Sequence, residues 1–174
     1  MAEGFLKVVS HHQTGRVVMF SGIPTDAWVG EGSVIKREPR RYDIVAMTAS
    51  RTIHIPRATF RWLLETSFEF NHFISDQRNE RLGQFISMVE TDRLTEPAAR
   101  LARAVCGLFN PVLYPGVGPL LKASQEELGD LAGRSRQTVN IALHELESEG
   151  LLKIAYGGIL VQELASLRKR AEFD

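Results

Sequence analysis

The sequence predicts an α+β chain, and three observations carry that class. Apolar and β-branched residues come in short runs broken by Pro and Gly as far as Pro56. An apolar stripe at helical spacing runs from Asn71 to Leu94, and two short helices followed at once by a tight hairpin occupy Ser124 to Val161. With 174 residues, 44% apolar and 24% charged, the chain can bury a packed core. Its 21 basic and 21 acidic residues cancel, which excludes a polycationic tail or a histone-like binder.

Each element has its own signal. Phe5 to Val9 and Arg16 to Phe20 flank a polar stretch ending in Thr14-Gly15, the pattern of a β-hairpin. Shorter runs at Asp43 to Thr48 and Arg51 to Ile55 continue the strand pattern, so the first sixty residues read as all-β. After Pro56, Phe60, Leu63, Leu64 and Phe68 recur at helical spacing. Phe73, Ile74, Leu82, Phe85, Ile86, Val89 and Leu94 then form a stripe without Pro, which predicts a helix of roughly 24 residues over 71–94. Such a helix needs a partner surface, and the mixed spacing of Leu82, Phe85, Ile86 and Val89 permits pairing with a second copy. Thr95-Glu96-Pro97 starts another helix, with Ala98, Leu101, Ala102, Val105 and Leu108 on one face until Asn110-Pro111 stops it. These breaks predict segments 1–70, 71–95 and 96–174.

The last segment carries the most specific pattern. Ser124 and Glu127 stand at capping-box spacing, so a short helix begins there and runs through Leu128 and Ala132 to Gly133. Ser135 caps a second helix that continues through Val139, Ala142, Leu143 and Leu146. Gly129 permits close approach of the two helices, Gly133 supplies the turn, and Val139 plugs the space between them. That is a helix-turn-helix. Leu151 to Ala155 and Ile159 to Val161, joined across Tyr156-Gly157-Gly158, add a β-hairpin wing.

Other classes find little support. There is no Ser elbow, His-Glu-x-x-His or P-loop, and Gly116-Val-Gly118-Pro119 lacks the third glycine of a nucleotide loop, so an enzyme is not expected. His11 and His12 are adjacent, and on a strand they would point to opposite faces, unlike a metal pair. The start lacks a basic, apolar leader, and the uncharged stretch from Ala104 to Leu121 is interrupted by three prolines, so neither export nor a membrane span is expected. One cysteine, Cys106, permits no internal disulfide and no four-thiolate cluster, and it points to a cytoplasmic setting.

Gln125 to Val139, followed by Leu143 to Leu152, resembles the DNA-binding domain of the Crp–Fnr superfamily of bacterial transcription regulators. Gly4 to Ser21 resembles its sensor hairpin, Ala27-Trp28-Val29-Gly30-Glu31 its Gly-Glu effector motif, and Phe60 to Leu94 the segment leading into its dimerisation helix. The resemblance implies a partial cyclic-nucleotide-binding-like β-roll, a long dimerisation helix and a C-terminal winged helix-turn-helix. Met1 matches a point several dozen residues into the family pattern, so the first strands of the roll are expected to be missing, and the exposed strand edges imply weak stability for residues 1 to 56 alone.

The resemblance also implies roles. Arg136 occupies the guanine-reading position, Gln137 and Asn140 suit adenine, and Ile141 stands where some relatives carry a second arginine and offers at most a thymine-methyl contact. Ser124, Arg134, Ser135, Thr138 and Lys153 are the candidate phosphate contacts, with Ser135 equally readable as a helix cap alone. Gly30, Glu31, Arg40 and Arg41 form the candidate effector site. Tyr42 replaces the hydroxyl residue that follows the phosphate-binding arginine in the family. The purine-facing positions fall near Phe85 and Ile86, which cannot hydrogen-bond a base edge, and both departures argue against cyclic-nucleotide binding. No cofactor is therefore expected. The expected partners are double-stranded DNA, a second copy of the chain bound to a palindromic site, and RNA polymerase, with no membrane. The alternative is an interaction module that dimerises with a full-length regulator without binding DNA itself. Residues 123–174 carry six basic and nine acidic side chains, so any DNA binding must rest on a few well-placed groups.

Overall fold

The structure, a computed structural model, describes residues 1–15, 17–91 and 96–171. It divides into two compact units, Met1–Gly83 with Pro111–Gly116, and Gln84–Asn110 with Val117–Asp174.

In the first unit β1 (Leu6–His11) and β2 (Val17–Ile23) form the expected antiparallel hairpin, with a bulge between Val8 and Val9. Arg16, the expected first residue of the second run, lies outside the described residues. α1 (Glu31–Lys36) follows, and β3 (Asp43–Ala46) pairs with the other side of β1, giving the order β2-β1-β3. Phe5, Leu6, Val8, Val9, Met19 and Ile23 are buried, while the two edge strands leave Val17, Val18 and Val45 exposed. α1 corrects the all-β reading of the first sixty residues. Gly30, at φ 98°, turns the chain into the helix and Ser33 Oγ donates to its carbonyl, whereas Gly30 and Gly32 read in sequence only as loop punctuation. Arg51 to Ile55 is not a strand either. Arg51 makes one isolated bridge with Glu3, and Ile53 is 77% exposed.

α2 (Arg57–Thr66) begins right after Pro56, whose fixed φ suits a helix entry. Ser67 interrupts it in an extended conformation, and its hydroxyl accepts the Phe70 amide to cap α3 (Phe68–Thr91). α3 starts three residues earlier than expected and is described over 24 residues, as far as Thr91. Leu94 and Thr95 lie outside the described residues. Ile74, placed in the apolar stripe by spacing, is instead buried in the first unit. Trp28 packs there against Phe60, Phe70 and Phe73, with ring centroids 6.2, 6.1 and 5.5 Å away.

The second unit contains α4 (Pro97–Cys106), β4 (Leu120–Leu121), α5 (Gln125–Ala132), α6 (Arg136–Ser148), β5 (Leu152–Ala155), β6 (Gly158–Val161) and α7 (Leu164–Arg170). Glu96 caps α4 by accepting from the amides of Ala98 and Ala99 at 2.8 and 2.6 Å. β5 and β6 are the expected wing. β4 adds an unanticipated third strand in the order β4-β6-β5, and α7 is a further addition. Two residues are too few for a strand pattern, and the basic end of α7 masks its apolar face around Leu167. Leu101, Leu108, Leu128, Leu143, Leu146, Leu152, Ile159 and Leu167 are fully buried and form the core of this unit. Among the described residues no helix is long and apolar enough to cross a membrane.

Candidate functional site

The helix-turn-helix is built as its spacing demands. Ser124 Oγ accepts the Glu127 amide at 3.2 Å while the Glu127 carboxylate accepts the Ser124 amide at 2.7 Å, fixing the start of α5. A Cβ on Gly129 would sit 2.8 Å from the Arg134 carbonyl oxygen, so only glycine lets the turn close. Gly133 ends α5 at φ 62°, a conformation that costs a side-chain-bearing residue free energy. Val139, 1% exposed, fills the space between the helices with Leu128, Ala132 and Ala142.

This core leaves one face of α6 facing outward. Ser135 Oγ accepts the Thr138 amide and also bonds the Thr138 hydroxyl at 2.8 Å, so its cap role is formed and two candidate phosphate groups sit side by side. Arg136, Gln137 and Ile141 are exposed and Asn140 is half-buried beside them, which places the base-reading candidates on the first turns of one helix. Arg134 is half-buried at the turn, and Lys153 and Tyr156 are exposed on the wing. The amide dipoles at the α6 N-terminus point positive toward the same surface.

The acidic residues of α6 are already engaged. Arg170 of α7 reaches Glu96 at 2.8 Å, Glu145 at 2.7 Å and Glu149 at 3.2 Å. Glu147 accepts the Ile154 amide of the wing at 2.8 Å. Burial alone would raise the Glu96 carboxyl, but the amides of Ala99 and Ala98 and the Arg170 guanidinium outweigh it and hold that carboxyl below its ordinary range. Glu145, Glu147 and Glu149 are thus held by local partners away from the first turns of α6, although the segment keeps its excess of acids. Cys106 is half-buried and burial pushes its thiol up to about 11, against the weaker pull of Arg168. It therefore stays protonated and packs as a small apolar group.

The effector candidates gather in the first unit. A cavity of about 450 Å³ is lined by Trp28, Gly30, Glu31, Arg40, Ile44 and Phe60, among others. Gly30 lets Arg40 close in, since a Cβ there would lie 2.7 Å from Nη2 of Arg40. Glu31 is 7% exposed, its Oε1 is 3.8 Å from Arg81 Nε, and its Oε2 has no hydrogen-bond partner. Arg81 also donates to the Trp28 carbonyl at 2.8 Å, and the Trp28 indole N–H is buried and unpaired. Arg41 is not among the lining residues. It pairs with Glu38 at 3.0 Å on the surface. Tyr42 is raised above its ordinary value by burial and by Glu31, against the opposing pull of Arg40 and Arg81, so its phenol belongs to the same group of charges. Arg81 was not among the residues singled out by sequence, because its bond to the Trp28 carbonyl spans 53 positions and leaves no local pattern.

On α3 the stripe of Leu82, Phe85, Ile86 and Val89 is exposed, at 59, 43, 54 and 57%. Isolated apolar side chains on a surface are ordinary, whereas these four follow one another along one helix.

Known proteins carry both halves of this design. The family model of the cyclic nucleotide-binding domain matches residues 1–67, and that of the Crp-like helix-turn-helix domain matches residues 99–170. The Cyclic AMP receptor protein of Thermus thermophilus is 26% identical, with 98% of this chain and 77% of the relative covered. The cAMP-activated global transcriptional regulator CRP of Salmonella typhimurium is 24% identical over 92% of this chain and 78% of its own. A crystal structure of a CRP-family transcriptional regulator from Thermus thermophilus shares the fold with a TM-score of 0.67 at 22% identity, covering 98% of this chain and 85% of its own. The two family models lie on either side of the long helix and together span most of the chain, and with these relatives they make this chain a member of the Crp–Fnr superfamily of DNA-binding transcription regulators.

Proposed function

We propose that the chain binds palindromic DNA as a homodimer, that Arg136, Gln137 and Asn140 read base edges, and that Ser124, Arg134, Ser135, Thr138 and Lys153 hold phosphates. The observation that carries this reading is the outward face of α6: Arg136 and Gln137 exposed with Asn140 half-buried beside them at its first turns, its own acids engaged elsewhere, and Gly129 and Val139 fixing its angle. Arg136 offers forked donors to the O6 and N7 of guanine, and Gln137 or Asn140 suits adenine. Leu82, Phe85, Ile86 and Val89 support pairing along α3, which would set two recognition helices about 34 Å apart. RNA polymerase is the further partner such a regulator implies, with the cytoplasm its place of action.

Binding-site selection from random duplexes tests the reading directly, and an inverted repeat is the expected product. A folded protein that enriches no sequence, or whose binding does not weaken with salt, would instead support a module that works by pairing with another regulator. Light scattering should report a dimer. For the effector, Arg41 turned to Glu38 and Tyr42 beside Glu31 support the reading that cyclic nucleotides are not the ligand. Calorimetric titration with cyclic AMP is expected to show no micromolar binding, and micromolar binding would overturn that part.

A further inference from the structure

Arg100, near the start of α4, is 7% exposed. Its Nε donates to the carbonyl of Ala132, the last residue of α5, and its Nη1 donates to the carbonyl of Thr91, the last residue of α3, at 2.9 Å. The Ala132 carbonyl stands at a helix end, where the left-handed Gly133 turns the chain away and leaves the oxygen for a side chain to take. The Nη2 of the same guanidinium lies 2.9 Å from the place a Cβ would take on Gly133, the residue whose left-handed backbone turns the chain toward α6. One planar side chain therefore holds the end of the long helix and packs on the turn that aims the recognition helix.

An arginine is an expensive way to fill a buried position, because desolvating its charge offsets much of what its bonds contribute. An apolar side chain would pack two helices at least as well. What only a fork of donors supplies is a fixed relation between two carbonyls, since an ammonium is a single point of attachment. Arg103 shows the contrast within the same helix. It bonds Ser87 Oγ, the Glu90 carboxylate and the Ala171 carbonyl, joining α4 to α3 and to the end of α7.

We propose that Arg100 is a positioning residue for DNA reading, which ties the last turn of α3 to the turn before α6 and so holds the base-reading face in register with the end of the long helix. Its consequence for DNA rests on α6 being the recognition helix, but the tie itself does not. Loss of the tie loosens the angle of α6 before it unfolds the domain, so specific binding suffers while phosphate-driven binding remains.

The test uses the full chain and two measurements. The first compares Arg100→Met, Arg100→Lys and Arg103→Met for affinity toward the selected duplex and a scrambled one, below the unfolding temperature. The ratio of specific to non-specific affinity should fall about tenfold in both Arg100 variants and stay within about twofold of wild type in Arg103→Met. An unchanged ratio in Arg100→Met, or full retention by Arg100→Lys, overturns the proposal. The second is native-state hydrogen exchange on the unmodified protein. The amides of Gly133 and Arg134 should open with the same free energy as those of the last turn of α3. Independent opening of the two segments overturns the tie even if the Arg100 variants fail to fold. Absence of any sequence preference in the wild type would sink the reading of α6 and leave the exchange result to judge the tie alone.

Discussion

The two units of this chain are finished to different degrees inside. In the second unit the large buried side chains are a run of leucines with Val105 and Ile159, interdigitated among helices and a three-stranded sheet. In the first, among the described residues, only Val9, Ile23 and Leu113 are large side chains buried to that degree, and two of three strands are edges with exposed valines. The buried side-chain atoms left without a hydrogen bond, on Trp28, Glu31, Gln77 and Arg81, all belong to the first unit among the described residues. Unpaired buried polar atoms cost stability and retain the capacity to bind something. The difference teaches how a sensor and a reader diverge physically. The proposed reader closes around one packed core, whereas the proposed sensor keeps the unsatisfied atoms of Trp28 and Glu31 beside a cavity.

The largest expected effect probes the reader's core. Leu143→Ala removes a fully buried side chain from α6 and should destabilise the second unit by about 2 to 5 kcal/mol. Helical circular dichroism should show the shifted transition, and DNA binding should disappear as that unit unfolds. The first unit supplies its own reporter, because both tryptophans, Trp28 and Trp62, lie there. Tryptophan fluorescence should therefore change before the second unit melts, and its midpoint should ignore Leu143→Ala. Coincident fluorescence and dichroism midpoints in the wild type would break the comparison, showing one cooperative structure instead of two units of unequal stability.

Legibility in the sequence followed the same division. The Ser124 capping box, Gly129, Gly133 and Val139 could be read because each is a local requirement at fixed spacing, and the structure builds all of them. The wing followed from Tyr156-Gly157-Gly158 between two apolar runs. β4 was hidden because two residues, Leu120 and Leu121, carry no period, and their strand exists only through pairing with Leu160 and Ile159. α1 was hidden because Gly30 reads as a turn until its positive φ is seen to start a helix. The cavity around Glu31 was half legible. Trp28, Gly30 and Glu31 sit in one motif and Arg40 follows shortly after, while Arg81 reaches Glu31 only through folding. The service of Arg170 to three carboxylates spread over α4 and α6 could not be read from charge counts, which suggested only an acidic segment.

A smaller effect sharpens the reader's side. Arg136→Ala leaves the core untouched, since the side chain is exposed at the start of α6. It should cost about 1 to 3 kcal/mol of specific binding and relax preference at one base pair. Arg134→Ala should instead weaken binding to all sequences alike and flatten the salt dependence. A uniform loss from Arg136→Ala would move it from base reading to phosphate holding.

The smallest effect separates the units by pH. Glu96 caps α4 and pairs with Arg170, and those donors hold its carboxyl below the ordinary value. A carboxyl depressed in the folded state adds stability that is present above its unfolded pKa, about 4.3, and is lost as pH falls through the lower folded value. The second unit should accordingly lose stability to acid between roughly pH 5 and 3, by about 1 kcal/mol or less, because the side chain is partly open to solvent. Glu96→Gln lowers the neutral-pH stability and flattens this acid dependence, since the amide cannot titrate. The comparison is the slope of the dichroism midpoint against pH in the two proteins. Equal slopes would show that another group governs the acid response. A steeper fall in the tryptophan signal than in dichroism would place that group in the first unit, which holds both tryptophans.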